Sequence, residues 1–321
     1  MKRTSFLLMS FICIGLLSSQ YNIIQPPPVR AHHALVYDIA NKQVFMTAGS
    51  TPLDGGNSFA FFNDYWTFDG KEWKQGGNAG DERSGIALTY DTKRNKIYSY
   101  GGFTPDNRSH GELRVFESNQ WKTLSDLPEM IAAEPGLVYD PHRDRLIAFG
   151  GSGGRGSVNN TTWEWNGTEW EKIEGEGPEA RQSFAMIYDT KRKRTVVYGG
   201  MGTNPQQPLT DIWELEGNKW MKVSAAGPGK CLSPGYAFDE KNGTMILFGG
   251  VGAKGFTNDT WGWDGTQWKK LSDTGPAKRA MGYLAYDRHR ERIVLFGGRL
   301  GWPNDTNDTW EWDGKQWTEV K

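Results

Sequence analysis

Short apolar and polar segments alternate along this chain in a pattern that returns six times. Each unit begins with an apolar run ending in an aromatic–Asp pair: Tyr37-Asp38, Tyr90-Asp91, Tyr139-Asp140, Tyr188-Asp189, Phe238-Asp239 and Tyr286-Asp287. A polar turn follows, as at Lys191-Arg192-Lys193, and then a β-branched and aromatic run that closes on glycines, as in Ile293-Val294-Leu295-Phe296-Gly297-Gly298. Equivalent pairs stand at Gly101-Gly102, Gly150-Gly151, Gly199-Gly200 and Gly249-Gly250, and the first unit reads as Gly49-Ser50. After a variable loop comes a Trp-x-aromatic segment, whose period of two puts both rings on one face of a strand. An Asp-Gly or Asn-Gly step then predicts a tight hairpin into a fourth strand that carries a closing tryptophan. The closing tryptophans are 73, 121, 170, 220, 268 and 317, a spacing of 48 to 50 residues. A period of this length marks a repeat architecture. Four antiparallel strands repeated six times predict an all-β, six-bladed β-propeller, in which each blade covers the faces its neighbours expose.

Composition agrees with that reading. Of 321 residues, 41 are glycine and 13% are aromatic, which suits short strands, tight turns and an aromatic core. The net charge of -1 supplies no basic field for nucleic acid, and no nucleic-acid partner is expected. The N-terminus differs in character. Lys2-Arg3 precede an apolar run from Phe6 to Leu17 and then Ser18-Ser19, the pattern of a secretory signal over residues 1–19. The run is short for a spanning helix, so no stable membrane insertion is expected after cleavage. Residues 20–28 are a leader or a latch, with Tyr21-Asn22-Ile23-Ile24 as a possible strand remnant, and 29–321 form the propeller. Secretion or a periplasmic location follows. Past such a cleavage site the chain keeps only Cys231, so no intramolecular disulfide is expected.

The glycine pair ending the second strand, the aromatic two strands before a closing tryptophan, and an arginine ahead of the next first strand resemble the kelch repeat. The chain is similar to the galactose-oxidase type of kelch propeller, as an exported member of bacterial type. Its departures are Ser50 in place of a glycine and a second unit with Arg114 and Phe116 where others carry tryptophan and an aromatic. The resemblance implies that the first strand is innermost, and that the loops before it and after the glycine pair share one face. Aligning first strands on their aromatic–Asp ends puts Arg30, Arg83, Arg181 and Arg279 in one column, with Ala132 and Cys231 in the other two units. In kelch propellers such arginines often line the axial opening, where guanidinium forks suit a carboxylate, a phosphate or an acidic peptide. The competing reading is that each arginine bonds carbonyls or an acid of the adjacent blade.

The loops after the glycine pairs differ most between units. The first, Thr51 to Asn63, carries Phe59, Phe61 and Phe62, expected to pack the loop onto the blade rim. The sixth carries Arg299 and Trp302, the one tryptophan outside the repeated phrase and a candidate to stack on a sugar ring or another apolar face. His142 and His289 fall in equivalent turns of the opposite face, and no spacing of ligands specifies a metal. No cofactor is expected, and Cys231 reads as a buried filler. The Asn-x-Thr sites at Asn166, Asn242, Asn258, Asn304 and Asn307 read as turn residues. The leading expectation is a monomeric ligand-binding or protein-interaction module using the axial loop face, with a protein or an anionic or carbohydrate ligand as partner. The alternative is an enzyme similar to the periplasmic sialic-acid mutarotases, with Arg30, Arg83, Arg181 and Arg279 holding a carboxylate and Glu134 as the acid–base group. The catalytic residues are otherwise unknown.

Overall fold

A computed structural model describes residues 26–154, 157–223 and 225–321, in which strands dominate and no α-helix occurs. The six expected blades are present. Blade 1 comprises Ala34–Asp38, Gln43–Thr47, Ser58–Phe68 and Trp73–Arg83, and blade 2 comprises Ala87–Asp91, Lys96–Tyr100, Glu112–Glu117 and Gln120–Asp126. Blade 3 is Gly136–Asp140, Arg145–Phe149, Thr162–Trp165 and Trp170–Ile173; blade 4 is Ala185–Asp189, Arg194–Tyr198, Ile212–Glu216 and Lys219–Val223. Blade 5 is Gly235–Asp239, Thr244–Phe248, Thr260–Trp263 and Trp268–Ser272; blade 6 is Tyr283–Asp287, Arg292–Gly301, Asn304–Trp312 and Trp317–Val320. In each blade the strands pair in the order first, second, third, fourth, and no strand is lent to a neighbour. The signal segment, Cys13 and the Tyr21–Ile24 stretch lie outside the described residues. Just after them, the Pro27 carbonyl accepts a bond from Asn307 Nδ2 at 3.0 Å, which ties the chain's entry to blade 6.

The core lies between blades. Tyr100, Leu113 and Val115 of blade 2, for example, pack with Leu137, Tyr139, Leu146 and Trp165 of blade 3. Polar atoms buried there are satisfied in two ways. Three blades carry phenylalanine at the end of the second strand and threonine opposite it: Phe149/Thr162, Phe248/Thr260 and Phe296/Thr309. The closing tryptophan of the next blade then donates its indole N–H to the threonine: Trp220 to Thr162 at 2.9 Å, Trp317 to Thr260 at 2.8 Å, and Trp73 to Thr309 at 2.9 Å. Blades 2 and 4 pair Tyr100 with Leu113 and Tyr198 with Ile212 instead. There the tyrosine hydroxyl donates to a carbonyl, Met130 at 2.5 Å or Gly229 at 2.8 Å, and the indole N–H groups of Trp170 and Trp268 lack an acceptor.

The glycine pairs have positive φ and sit against the next blade. A Cβ at Gly249 would lie 2.4 Å from the Arg279 carbonyl oxygen, so only glycine fits without displacing backbone. The second residue of the pair donates its N–H across the interface, as Gly250 does to Arg279 at 2.7 Å and Gly298 does to Arg30 at 2.9 Å. This pattern corrects the register expected for the first unit. Gly49 makes the same bond, to Arg83 at 2.8 Å, and Ala48 has φ 63. The pair in blade 1 is therefore Ala48-Gly49. Ser50 follows it, at the position of Phe103, Ser152, Met201, Val251 and Arg299 in the other blades.

On the turn face the aromatic–Asp aspartates fold the polar turns back on themselves. Asp287 accepts the backbone N–H groups of His289 and Arg290 at 3.0 Å each and the Arg290 Nε at 2.6 Å. Asp189 and Asp140 repeat the arrangement with Arg192 and Arg143. Those arginines continue to Glu311, Glu214 and Glu164 in the third strands. The three arginines are thus balanced by acids of their own blades.

Candidate functional site on the loop face

Six isolated antiparallel bridges define the opposite face: Ala31 with Ser50, Ser84 with Phe103, Ala133 with Ser152, Gln182 with Met201, Leu232 with Val251, and Ala280 with Arg299. Each joins the segment before a first strand to the loop after the glycine pair of the same blade. The two loop sets therefore share one face in every blade.

The arginine column sits just behind those bridges, and it does not form an open anion ring. Arg30, Arg83, Arg181 and Arg279 are all buried. Arg30 forks on Asp64 at 2.7 and 2.8 Å, Arg181 on Asp211 at 2.9 and 3.3 Å, and Arg279 on Asp308 at 2.6 and 2.7 Å. Arg83 bonds Glu112 and, through Nε, Asp81 at 2.6 Å. In each case Nη1 also donates to the carbonyl eighteen residues on: Ala48, Gly101, Gly199 or Gly297. The donors of all four thus already serve carboxylates and carbonyls. Arg30, Arg181 and Arg279 each take an acid from the third-strand segment of the same blade, whereas Arg83 bonds Glu112 of the third strand of blade 2 and Asp81 of the fourth strand of blade 1. These acids were not singled out in the sequence. In three blades the same carboxylate also accepts an indole N–H two residues on, from Trp66, Trp213 and Trp310, each at 2.7 Å. Burial disfavours the charge on Asp211 and Asp308, but the bonds from Arg181 and Arg279 outweigh it and hold both carboxyls below the usual range.

Blade 2 varies this knot. Arg114 takes the place of the third-strand tryptophan, lies buried and bonds Asp81 at 2.7 Å and Ser99 at 3.2 Å. Blade 3 has dropped it: Ala132 replaces the arginine, Thr161 replaces the acid, and the Trp163 indole N–H is left without an acceptor. Blade 5 has lost only the arginine. Cys231 stands in its place, and its thiol points to the Gly249 carbonyl at 3.5 Å, again eighteen residues on. Burial, and then the Asp259 charge, push that thiol up to about 12. The filler role expected for Cys231 fits these surroundings, and the ordinary nucleophilic form is suppressed.

Arg299 is also committed. It is buried against Asp305, with Nε–Oδ1 at 2.8 Å. Trp302 is 56% exposed, the most open large apolar side chain among the described residues. It lies over the Arg299 guanidinium at 5.0 Å and beside Phe59 at 5.7 Å. The first loop is itself a hairpin, Ser50–Leu53 paired with the start of the long third strand. Phe61 meets Phe103 at 5.7 Å, and Phe62 lies 4.0 Å beneath the Arg30 guanidinium, so two of the three phenylalanines pack the loop down as expected. Phe59 remains 42% exposed.

At the axis, one residue per blade adopts a positive φ: His32, Gly85, Glu134, Ser183, Ser233 and Met281. Backbone bonds run between neighbours around the opening, His32 to Met281, Gly85 to His32, Glu134 to Gly85, Ser233 to Ser183 and Met281 to Ser233. Between blades 3 and 4 a side-chain bond stands instead, Ser183 Oγ to Glu134 Oε2 at 2.6 Å. The other Glu134 oxygen is 2.8 Å from His32 Nδ1 of blade 1, so this carboxylate bars the mouth. Burial disfavours its charge, yet the His32 and Ser183 contacts prevail and hold it below the usual carboxylate range. Beneath it, Tyr236 and Tyr283 border both a small polar space with Glu134, Ser183 and Ser233 and a wider, mainly apolar axial channel of about 530 Å3. That channel reaches the turn face at Thr92, Pro141 and Arg288. Burial and the nearby Glu134 charge push the Tyr236 hydroxyl up to about 12. No group of three or more His, Cys, Asp or Glu placed to hold a metal occurs among the described residues.

The Kelch-repeats domain described as KLHDC2/KLHL20/DRC7 matches residues 137–321, more than half of the chain, and the protein belongs to this kelch family. Kelch propellers are generally protein-interaction modules. No curated protein matches the chain.

Proposed function

We propose that this propeller is an exported protein-interaction module that binds through its loop face, at the junction of blades 6 and 1. The observation that carries the reading is where its apolar surface lies. Of the seven exposed large hydrophobic side chains among the described residues, Leu53, Phe59, Leu300 and Trp302 sit on the two hairpins that meet there. An apolar patch rimmed by polar loops suits protein contact, and an exposed tryptophan over an arginine is a common anchor. None of the exposed large hydrophobic side chains among the described residues lies on the turns that join first to second strands. Export rests on Lys2-Arg3, the Phe6–Leu17 run and Ser18-Ser19; N-terminal sequencing of protein recovered outside the cytoplasm should begin near residue 20. The carbohydrate-enzyme reading required arginines free to hold a carboxylate and Glu134 free to move a proton. With the arginines forked on acids and Glu134 held between His32 and Ser183, that reading lacks support.

The test is proximity crosslinking in the native host, comparing wild type with a Trp302→Ser/Phe59→Ser variant. The variant should keep its melting temperature, since both side chains are largely solvent-facing, and should lose the partners that wild type crosslinks. An unchanged crosslink pattern would exclude this junction as the contact.

A further inference from the structure

Blade 5 keeps the acid and the carbonyl of the arginine knot but not the arginine. Asp259 stands two residues before Trp261 as Asp308 stands before Trp310 in blade 6, and its backbone N–H bonds the Thr257 hydroxyl at 3.1 Å, as that of Asp308 bonds Thr306 at 3.4 Å. The Gly249 carbonyl, counterpart of the Gly199 and Gly297 carbonyls that take Arg181 and Arg279, meets only the Cys231 thiol, a weak donor. Where blades 1, 2, 4 and 6 hold a guanidinium, blade 5 has an open cleft of about 470 Å3 lined by Cys231, Gly249, Asp259, Phe256 and Trp261. Blade 3 shows that a missing arginine does not require this outcome, because there the acid is gone as well.

We propose that this cleft takes the guanidinium of a partner's arginine, which completes in trans the knot that four other blades complete in cis. The fork of two carboxylate oxygens and the adjacent carbonyl match a planar guanidinium better than a compact ammonium. Lys270 already lies 2.9 Å from Asp259, but this does not close the site. In blade 4 the equivalent Lys222 lies 3.7 Å from Asp211 while Arg181 forks on the same carboxylate. Lys230, Lys254 and Lys278 stand around the cleft and would repel an isolated cation. They therefore select the surroundings of the arginine: a partner segment in which acidic residues flank it places carboxylates on these lysines and the guanidinium on Asp259. The inference rests on the loop face being a binding surface, and it names the chemistry of one contact there.

The test is calorimetric titration of the whole protein with the capped tripeptide Glu-Arg-Glu and its lysine and citrulline analogues. The arginine peptide should bind, and each analogue should bind at least tenfold more weakly. Asp259→Asn should weaken arginine-peptide binding at least tenfold. Cys231→Arg should fill the cleft from within, raise the melting temperature and abolish binding. Equal binding of the citrulline peptide would show that the lysines alone attract it and would overturn the proposal, as would undiminished binding by Asp259→Asn or no binding by the wild type. These probes do not touch Trp302, so failure here and failure at the blade 6–blade 1 junction can be told apart.

Discussion

In blade 3, Ala132 stands where blade 4 has Arg181, and Thr161 stands where blade 4 has Asp211. In blade 5, Cys231 replaces the arginine but Asp259 stays. The first pair of changes removes an ion pair whole and leaves no buried charge behind, which is the inexpensive way to lose one. The second leaves a carboxylate in a cleft, partly met by an exposed lysine. The contrast teaches that the arginine knot is a unit of blade construction, and that a blade retaining half of it is the informative exception.

The largest test of that contrast is Arg181→Ala, which should lower stability by about 3–5 kcal/mol in denaturant unfolding, because Asp211 would stay behind without its fork. A loss below about 1 kcal/mol would reduce the knot to a surface-like ion pair. Next, Ala132→Arg should destabilise blade 3, since Thr161 offers no carboxylate, and adding Thr161→Asp should recover most of the loss. A double-mutant cycle would give a favourable coupling, and additivity would break the comparison. Smaller again is Thr162→Val. It strands the Trp220 indole N–H between blades 3 and 4 and should cost about 1–3 kcal/mol, read from the same denaturation midpoint. The smallest effect is in acid. The carboxyls of Asp211 and Asp308 are held low in the fold, so their contribution is complete above the unfolded aspartate range of about 3.9 and is lost as pH falls through the lower folded values. Stability plotted against pH should therefore fall more steeply in wild type than in Asp308→Asn, which is less stable at neutral pH but has one fewer carboxyl to protonate.

The period of the closing tryptophans made the blade count and strand order legible, because a repeated strand pattern has few ways to bury both faces. The arginine column was legible as well, but not the acids it meets. Arginine and acid are about thirty residues apart, as for Arg181 and Asp211, and no local pattern joins them. A signal was present in the absence of both members from blade 3 and in the Asp-x-Trp spacing of blades 1, 4, 5 and 6. The register of blade 1 was displaced by one residue because Ala48 holds a backbone conformation ordinarily left to glycine, so Gly49-Ser50 looked like the altered pair. Trp302 was recognised from its departure from the repeat; its pairing with Phe59 depends on blades 6 and 1 meeting, which no local pattern encodes.

The backbone bonds around the axial mouth bear on how the wheel resists being pulled open. Blades 6 and 1 share no continuous chain across their boundary and no exchanged strand, so that joint is where a propeller would be expected to part. There the bond from His32 to the Met281 carbonyl at 3.2 Å is present. The position where the backbone link gives way to a side-chain tie, between Glu134 and Ser183, is spanned by the polypeptide running from blade 3 into blade 4. Covalent chain and hydrogen bond thus divide the circumference between them. The side-chain tie falls where the peptide chain itself carries the load, and the joint with no peptide to carry it keeps a backbone rivet.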